Sequence, residues 1–133
     1  MFLIKRADGV FIPSDNNDYN EAKKVKVGEY VKCTRTRNVK HHKKAFALLN
    51  LWFENQDRFQ EFEIARKVIT IRAGYYDIAP TKDGEPYYIP KSLSFENMSQ
   101  SDFEKWYEAT LNIVAKDLEQ SPDAIQAELA GFY

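Results

Sequence analysis

The sequence predicts an α+β fold: a small, mainly antiparallel sheet, built from two hairpins and one further strand, packed against four to five helices. Three observations carry that reading. Asp8-Gly9 and Asp83-Gly84 are two-residue turn signals set between apolar, β-branched or aromatic segments. Apolar residues recur at three- and four-residue spacing through 45–73 and again through 103–118. The resulting order, β-β-α-β-α-α-β-β-α-α, lacks the regular βαβ alternation of a parallel sheet. The chain has 133 residues, 44% of them hydrophobic, with nine Phe, eight Tyr and two Trp. That suits one compact domain spanning 1–133 with a real core, and no repeat, low-complexity tract or linker divides it.

In chain order, residues 2–7 and 10–13 form the first hairpin around Asp8-Gly9. Ser14 caps a short helix ending near Lys26, with Gly28 as its stop. Residues 29–37 are rich in β-branched and aromatic types and read as the further strand. Its Lys32, Arg35 and Arg37 fall on both faces of the alternation, so at least one face cannot be simply core. Ala45, Leu48, Leu49, Trp52 and Phe53 then mark one helix. Phe59, Phe62, Ala65 or Arg66, Ile69 and Ala73 mark the next, which Gly74 ends. The second hairpin joins 75–80 to 87–95. With Asp83-Gly84 at the centre of its turn, Tyr76, Ile78, Tyr87 and Ile89 share one face. Tyr75, Asp77, Ala79 and Tyr88 share the other, less apolar one. Ser99 or Ser101 caps a helix carrying Phe103, Trp106, Tyr107, Leu111, Val114 and Leu118. Ser121-Pro122-Asp123 opens a short terminal helix. Leu129, Phe132 and Tyr133 beyond its start either cap the core or leave a surface for a homo-oligomer.

The net charge of −1 conceals a polarised chain. Between Glu21 and Lys44 nine Lys/Arg face two acids, whereas from residue 51 onward eight bases face fifteen acids. A basic block of this density implies an anionic partner, with nucleic acid, and DNA in particular, as the leading expectation. The single cysteine, Cys33, excludes an intramolecular disulfide and a cysteine-rich zinc site, and suits a reducing cytoplasm. The apolar start Met1, Phe2, Leu3, Ile4 meets Lys5 and Arg6 too soon for a signal peptide. No stretch approaches the ~20 apolar residues that cross a bilayer, so no membrane partner is expected.

Lys40, His41, His42, Lys43 and Lys44 sit in the first turns of a predicted helix. The positive end of a helix dipole favours acids, and each exposed cation there costs roughly 0.3–1 kcal/mol. A bound phosphate reverses that sign, because backbone N–H groups and lysines converge on it. Arg35 and Arg37, arriving from the preceding segment, add bidentate forks. Arg35, Arg37, Lys40, Lys43 and Lys44 are therefore candidate phosphate ligands, with His42 as a further hydrogen-bond donor. Tyr75 and Tyr88, on the less apolar hairpin face, are candidate stacking platforms for unpaired bases, each worth about 1–3 kcal/mol. The plainer alternatives are solvated charges that answer the acidic helices at Glu104, Glu108, Asp117 and Glu119, and tyrosines that merely cover the sheet. Of the adjacent His41 and His42, one packs while the other faces solvent.

Catalysis finds little support. Glu21-Ala22-Lys23 is the nearest approach to a nuclease acid-x-Lys element, but it falls in a predicted helix without a partner acid. Asp77, Asp83 and Glu85 could gather near the second turn, where acids are common for conformational reasons alone. Cys33 reads as a small buried apolar residue rather than a nucleophile. No catalytic residue, metal ligand or cofactor is assigned.

Three segments together resemble a tailed-phage and prophage family, domain of unknown function 1367. They are Arg37-Asn38 followed by His42-Lys43-Lys44-Ala45-Phe46-Ala47-Leu48-Leu49-Asn50; Ala73-Gly74-Tyr75-Tyr76-Asp77; and Lys91-Ser92-Leu93-Ser94-Phe95-Glu96-Asn97-Met98 with Phe103 and Tyr107. The likeness runs from about residue 2 to residue 118. Ala45 stands where such proteins carry a bulkier aromatic residue, and Leu93 where isoleucine is usual. The stretch from Arg37 to Leu49 is also distantly similar to lambdoid phage recombination mediators, which bind single-stranded DNA. The resemblance implies a phage or prophage origin, a bacterial cytoplasm, and a place among early functions in recombination, replication or repair. Two further classes stand beside an accessory nucleic-acid-binding protein. One is a modulator that docks its acidic helices on a host or phage enzyme. The other is a metal-dependent nuclease.

Overall fold

The computed structural model describes residues 1–36, 39–94 and 97–132, and Arg37 therefore lies outside the described residues. The fold is α+β, as expected, with five α-helices and two small antiparallel two-stranded sheets among the described residues. The chain groups into two compact units, Met1–Thr34 and Arg35–Tyr133.

In the first unit, β1 (Leu3–Lys5) pairs with β2 (Phe11–Pro13) in the register Leu3 to Pro13, Ile4 to Ile12 and Lys5 to Phe11. The turn between them is closed by Gly9 N–H donating to Arg6 C=O at 2.9 Å and by Val10 N–H donating to Asp8 Oδ1 at 3.0 Å. Gly9 sits at φ +91°, a conformation that a side chain would strain, which is why Asp-Gly signals the turn. The helix α1 (Asn16–Ala22) starts one residue later than the sequence suggests. Asp15 is its cap and accepts from Asp18 N–H at 2.8 Å, while the Ser14 hydroxyl donates to the Asp18 carboxylate.

No strand forms at residues 29–36, which contradicts the expected further strand. Tyr30 is fully exposed and Val31 half-exposed, and Lys32 and Arg35 are exposed as well. The cause is visible in the alternation: cations on both faces leave the segment no apolar side with which to join a sheet. Cys33 falls in this stretch and is exposed, not buried as expected.

The second unit is built on α2 (Val39–Glu54), α3 (Phe62–Arg72), α4 (Gln100–Asp117) and α5 (Pro122–Leu129), followed by a 3₁₀ turn at Ala130–Phe132. Ser99 and Ser121 cap α4 and α5 by accepting from Asp102 N–H and Ala124 N–H, each at 3.1 Å. Phe59 precedes α3 instead of opening it. Gln56 holds it in the connecting turn, accepting from Phe59 N–H at 2.8 Å and donating to Phe53 C=O at 2.8 Å. The core consists of Leu48, Leu49 and Trp52 from α2, Ile69 from α3, Trp106 and Val114 from α4, and Ile125 and Leu129 from α5. Leu129 therefore caps the core and offers nothing to self-association.

Between α3 and α4, β3 (Tyr76–Thr81) pairs with β4 (Gly84–Pro90). The register sets Tyr76 opposite Pro90, Ile78 opposite Tyr88 and Ala79 opposite Tyr87, one residue away from the expected alignment. Lys82-Asp83, not Asp83-Gly84, spans the turn, and the pairing shifts between Ala79 and Thr81. Pro80 and Pro86 both lie in the irregular stretch; neither has an N–H to give a ladder, so a bulge forms there. Tyr88 thereby moves to the face of Tyr76 and Ile78, and Tyr87 joins Asp77 and Ile89.

Candidate nucleic-acid interface

Burial of Ala45, Leu48, Leu49 and Trp52 fixes the rotation of α2, and with it the direction of every basic side chain in its first turns. Lys40 and Lys43 lie on the exposed side, and Lys44 lies at the edge that faces α4. The first turn of α2 contains no acid.

The neighbouring α4 runs parallel to α2. At their N-terminal ends the Gln100 amide stands 3.0 Å from His41 Nδ1, and one turn further Lys44 Nζ lies 4.8 Å from the centre of the Tyr107 ring. At their C-terminal ends Trp52 Nε1–H donates to Asp117 Oδ2 at 2.9 Å. Two helix N-termini thus open side by side, that of α2 carrying Lys40, His41, His42, Lys43 and Lys44 and that of α4 carrying Asp102, and their dipoles add to the local positive potential. Between them lies a recess of about 210 Å³ lined by His41, Lys44, Phe103, Glu104 and Tyr107.

The two histidines divide the roles anticipated for them. His41 is exposed, and His42 is half-buried with its ring 4.5 Å from Phe46, in an aromatic row that continues to Phe62 of α3. Burial lowers the pKa of His42 below its ordinary value. It is therefore neutral at neutral pH and adds a hydrogen bond, not a charge, to any anion it meets. Among the remaining candidate residues, Arg35 is exposed in the second unit, just ahead of the residues that lie outside the description. The basic block is split: Lys23, Lys24, Lys26 and Lys32 belong to the first unit, where Lys24 pairs with Glu21 at 2.7 Å.

The tyrosines are rearranged by the register. Tyr75 precedes β3 and is half-buried against the core, with its pKa raised by burial and then by the negative charge of Asp102. Its backbone anchors the hairpin, donating to Thr70 C=O at 3.1 Å and accepting from Lys91 N–H at 3.0 Å. Tyr88 is half-exposed and meets Tyr76 edge to face at 5.0 Å. Tyr87, 69% exposed, presents the most open ring of the ribbon, and the shifted register is what places it there. Asp77 pairs with Lys91 at 2.9 Å on the rung opposite Ile89, well down the ribbon from Asp83 and Glu85. Among the described residues no three His, Cys, Asp or Glu side chains converge as metal ligands, and no helix is long and apolar enough to cross a membrane.

Fold and site together define a small α+β protein with a cationic helix entrance and an aromatic β-ribbon. The chain belongs to the family described as "Protein of unknown function (DUF1367)", whose profile matches residues 1–59 and 54–119. No curated protein and no solved structure matches the chain.

Proposed function

We propose that this is a phage- or prophage-encoded accessory protein that binds DNA, single-stranded or structured, during recombination, replication or repair in the bacterial cytoplasm. The observation that carries the reading is the acid-free first turn of α2, basic where its own dipole disfavours cations, opening beside the first turn of α4. Lys40, Lys43 and Lys44, with Arg35 and Arg37 before them, neutralise phosphates without reading sequence. His42, half-buried beside them, adds a hydrogen bond. On the ribbon, Tyr87 takes over the stacking role assigned from sequence to Tyr75, with Tyr88 beside it on the opposite face.

Fluorescence anisotropy with labelled single-stranded and duplex oligonucleotides across a salt series tests this. Log affinity falls with log salt by roughly 0.7–0.9 per neutralised phosphate, and the slope is shallower in a variant with Arg35→Ala, Arg37→Ala and Lys43→Ala. Tyr87→Ala weakens single-stranded binding by about 1–3 kcal/mol and leaves duplex binding unchanged. Unchanged affinity and slope in the triple variant would sink the proposal. The acidic-helix docking reading gains nothing from Asp117, whose carboxylate is already committed to Trp52 and Arg72.

A further inference from the structure

We propose that the recess between α2 and α4 takes one unpaired guanine from a single-stranded segment, an inference that rests on the nucleic-acid reading above. Its volume of about 210 Å³ falls below the ~300–1,000 Å³ of pockets that enclose a drug-sized ligand, so it has room for one ring system and not a whole nucleotide. The lining is aromatic on the α4 side, with Phe103 forming a buried floor and Tyr107 a half-buried wall. Tyr107 is held in place by its hydroxyl, which donates to Gln126 Oε1 at 3.1 Å. A recess with an aromatic floor and a fixed aromatic wall suits the face of a base better than a phosphate or a sugar.

The polar rim selects among bases. Glu104 is exposed on the rim and is an acid among cations. For a recess that only gathered phosphates, a carboxylate there would be a repulsive element. For a base it is a double acceptor, since an ionised carboxylate has two oxygens that can each take a hydrogen bond. Guanine offers two parallel donors on one edge, N1–H and the N2 amino group, beside the O6 acceptor. Lys44 and His41 line the same recess and supply the donor that O6 needs. Adenine and cytosine present only an amino group to the carboxylate and thymine only N3–H, so each leaves one of its oxygens unmatched. The Gln100 amide, 3.0 Å from His41 Nδ1 and 3.4 Å from Glu104 Oε1, ties the imidazole and the carboxylate to the same point on the rim. The flanking phosphates then fall on Lys40 and Lys43 at the helix entrance, which join the base pocket to the backbone track.

The test uses the full chain and an oligothymidine of about twelve nucleotides, within the site sizes single-strand-binding proteins cover. The central position is replaced in turn by dG, deoxyinosine, dA or dC. The expected result is that dG binds about 5-fold or more tightly than the all-dT strand, while deoxyinosine, which lacks only the N2 amino group, loses most of that gain. Glu104→Gln removes the dG preference and does not weaken binding to the all-dT strand, because the substitution deletes a negative charge. Binding without a dG preference, or a preference that deoxyinosine retains in full or that survives Glu104→Gln, overturns this inference and leaves the proposed function standing. Failure to bind any of the oligonucleotides at low salt overturns both. The deoxyinosine comparison needs no substituted protein, so it holds even if the variant folds poorly.

Discussion

At one end of the parallel α2–α4 pair a single carboxylate holds two partners: Asp117 accepts from Trp52 Nε1–H at 2.9 Å and from both terminal nitrogens of Arg72 at 2.7 and 3.0 Å. At the other end His41 and Gln100 share one exposed hydrogen bond, among lysines, at the mouth of a recess. The first arrangement ties α2, α3 and α4 together, and it shifts both partners as a working ion pair should, Asp117 downward and Arg72 upward, each chiefly through their mutual hydrogen bond. The second gives up helix stability by placing cations at the positive dipole end of α2. One end of the helix pair thus carries side-chain bonds that tie three helices together, and the other carries cations that the fold itself does not call for. Function and stability should be separable by substitutions at opposite ends of the same two helices.

The largest expected effect is at the Asp117 end. Asp117→Ala leaves the indole N–H of Trp52, itself 3% exposed, without an acceptor, which costs roughly 1–3 kcal/mol. The Arg72 pair is more open, with side chains 38% and 30% exposed, and adds no more than ~1 kcal/mol. A loss of about 2–3 kcal/mol in urea unfolding is expected, with oligonucleotide affinity unchanged once the protein is folded. Asp117→Asn keeps an acceptor for the indole and should recover part of the loss. A variant that unfolds like the parent would break the contrast between the two ends.

At the basic entrance the signs reverse. Lys40→Gln with Lys43→Gln removes two cations from the entrance, so the salt dependence of binding becomes shallower by roughly 0.7–0.9 per lost phosphate contact. Stability stays within about 0.5 kcal/mol or rises slightly, because one of the two charges opposed the dipole. A double variant that loses stability while keeping its salt slope would show that these lysines serve the fold.

Much of this arrangement could be read from the chain, and the exceptions have physical causes. The caps Ser99 and Ser121, the Asp8-Gly9 turn and the apolar faces of α2 and α4 are local features, set by residues within a turn or two of one another. The second hairpin departs by one residue from the alignment its Asp-Gly signal implies, because two prolines force a bulge beside the turn. The supposed strand at 29–37 had the right residue types but no face to bury. That α2 and α4 lie parallel, bringing Gln100, Glu104 and Tyr107 to the basic entrance, follows from long-range packing, and no spacing within either segment announces it. The locking role of Asp117 was hidden for the same reason, since its partners are 45 and 65 residues away in sequence.

The smallest effect sharpens the comparison further, because the two ends titrate in different ranges. Burial lowers the pKa of His42 from its ordinary 6.5, so the unfolded chain binds a proton more readily than the folded one. Its contribution to stability is complete above about 6.5 and is lost as pH falls through the lower folded value. Asp117 behaves likewise one range lower: its pKa is lowered from 3.8, first by the Arg72 hydrogen bond, so its contribution is present above 3.8 and is lost only in stronger acid. Melting temperature followed from pH 8 to about pH 2 should therefore fall in two steps. His42→Phe, which keeps a ring against Phe46, removes the upper step and leaves the lower. Asp117→Asn reduces the lower step without abolishing it, because Asp18, Glu21 and Glu63 also carry lowered pKa values. A single step unmoved by His42→Phe would mean that the imidazole titrates alike in the folded and unfolded chain, and that the entrance contributes nothing to the pH response of the fold.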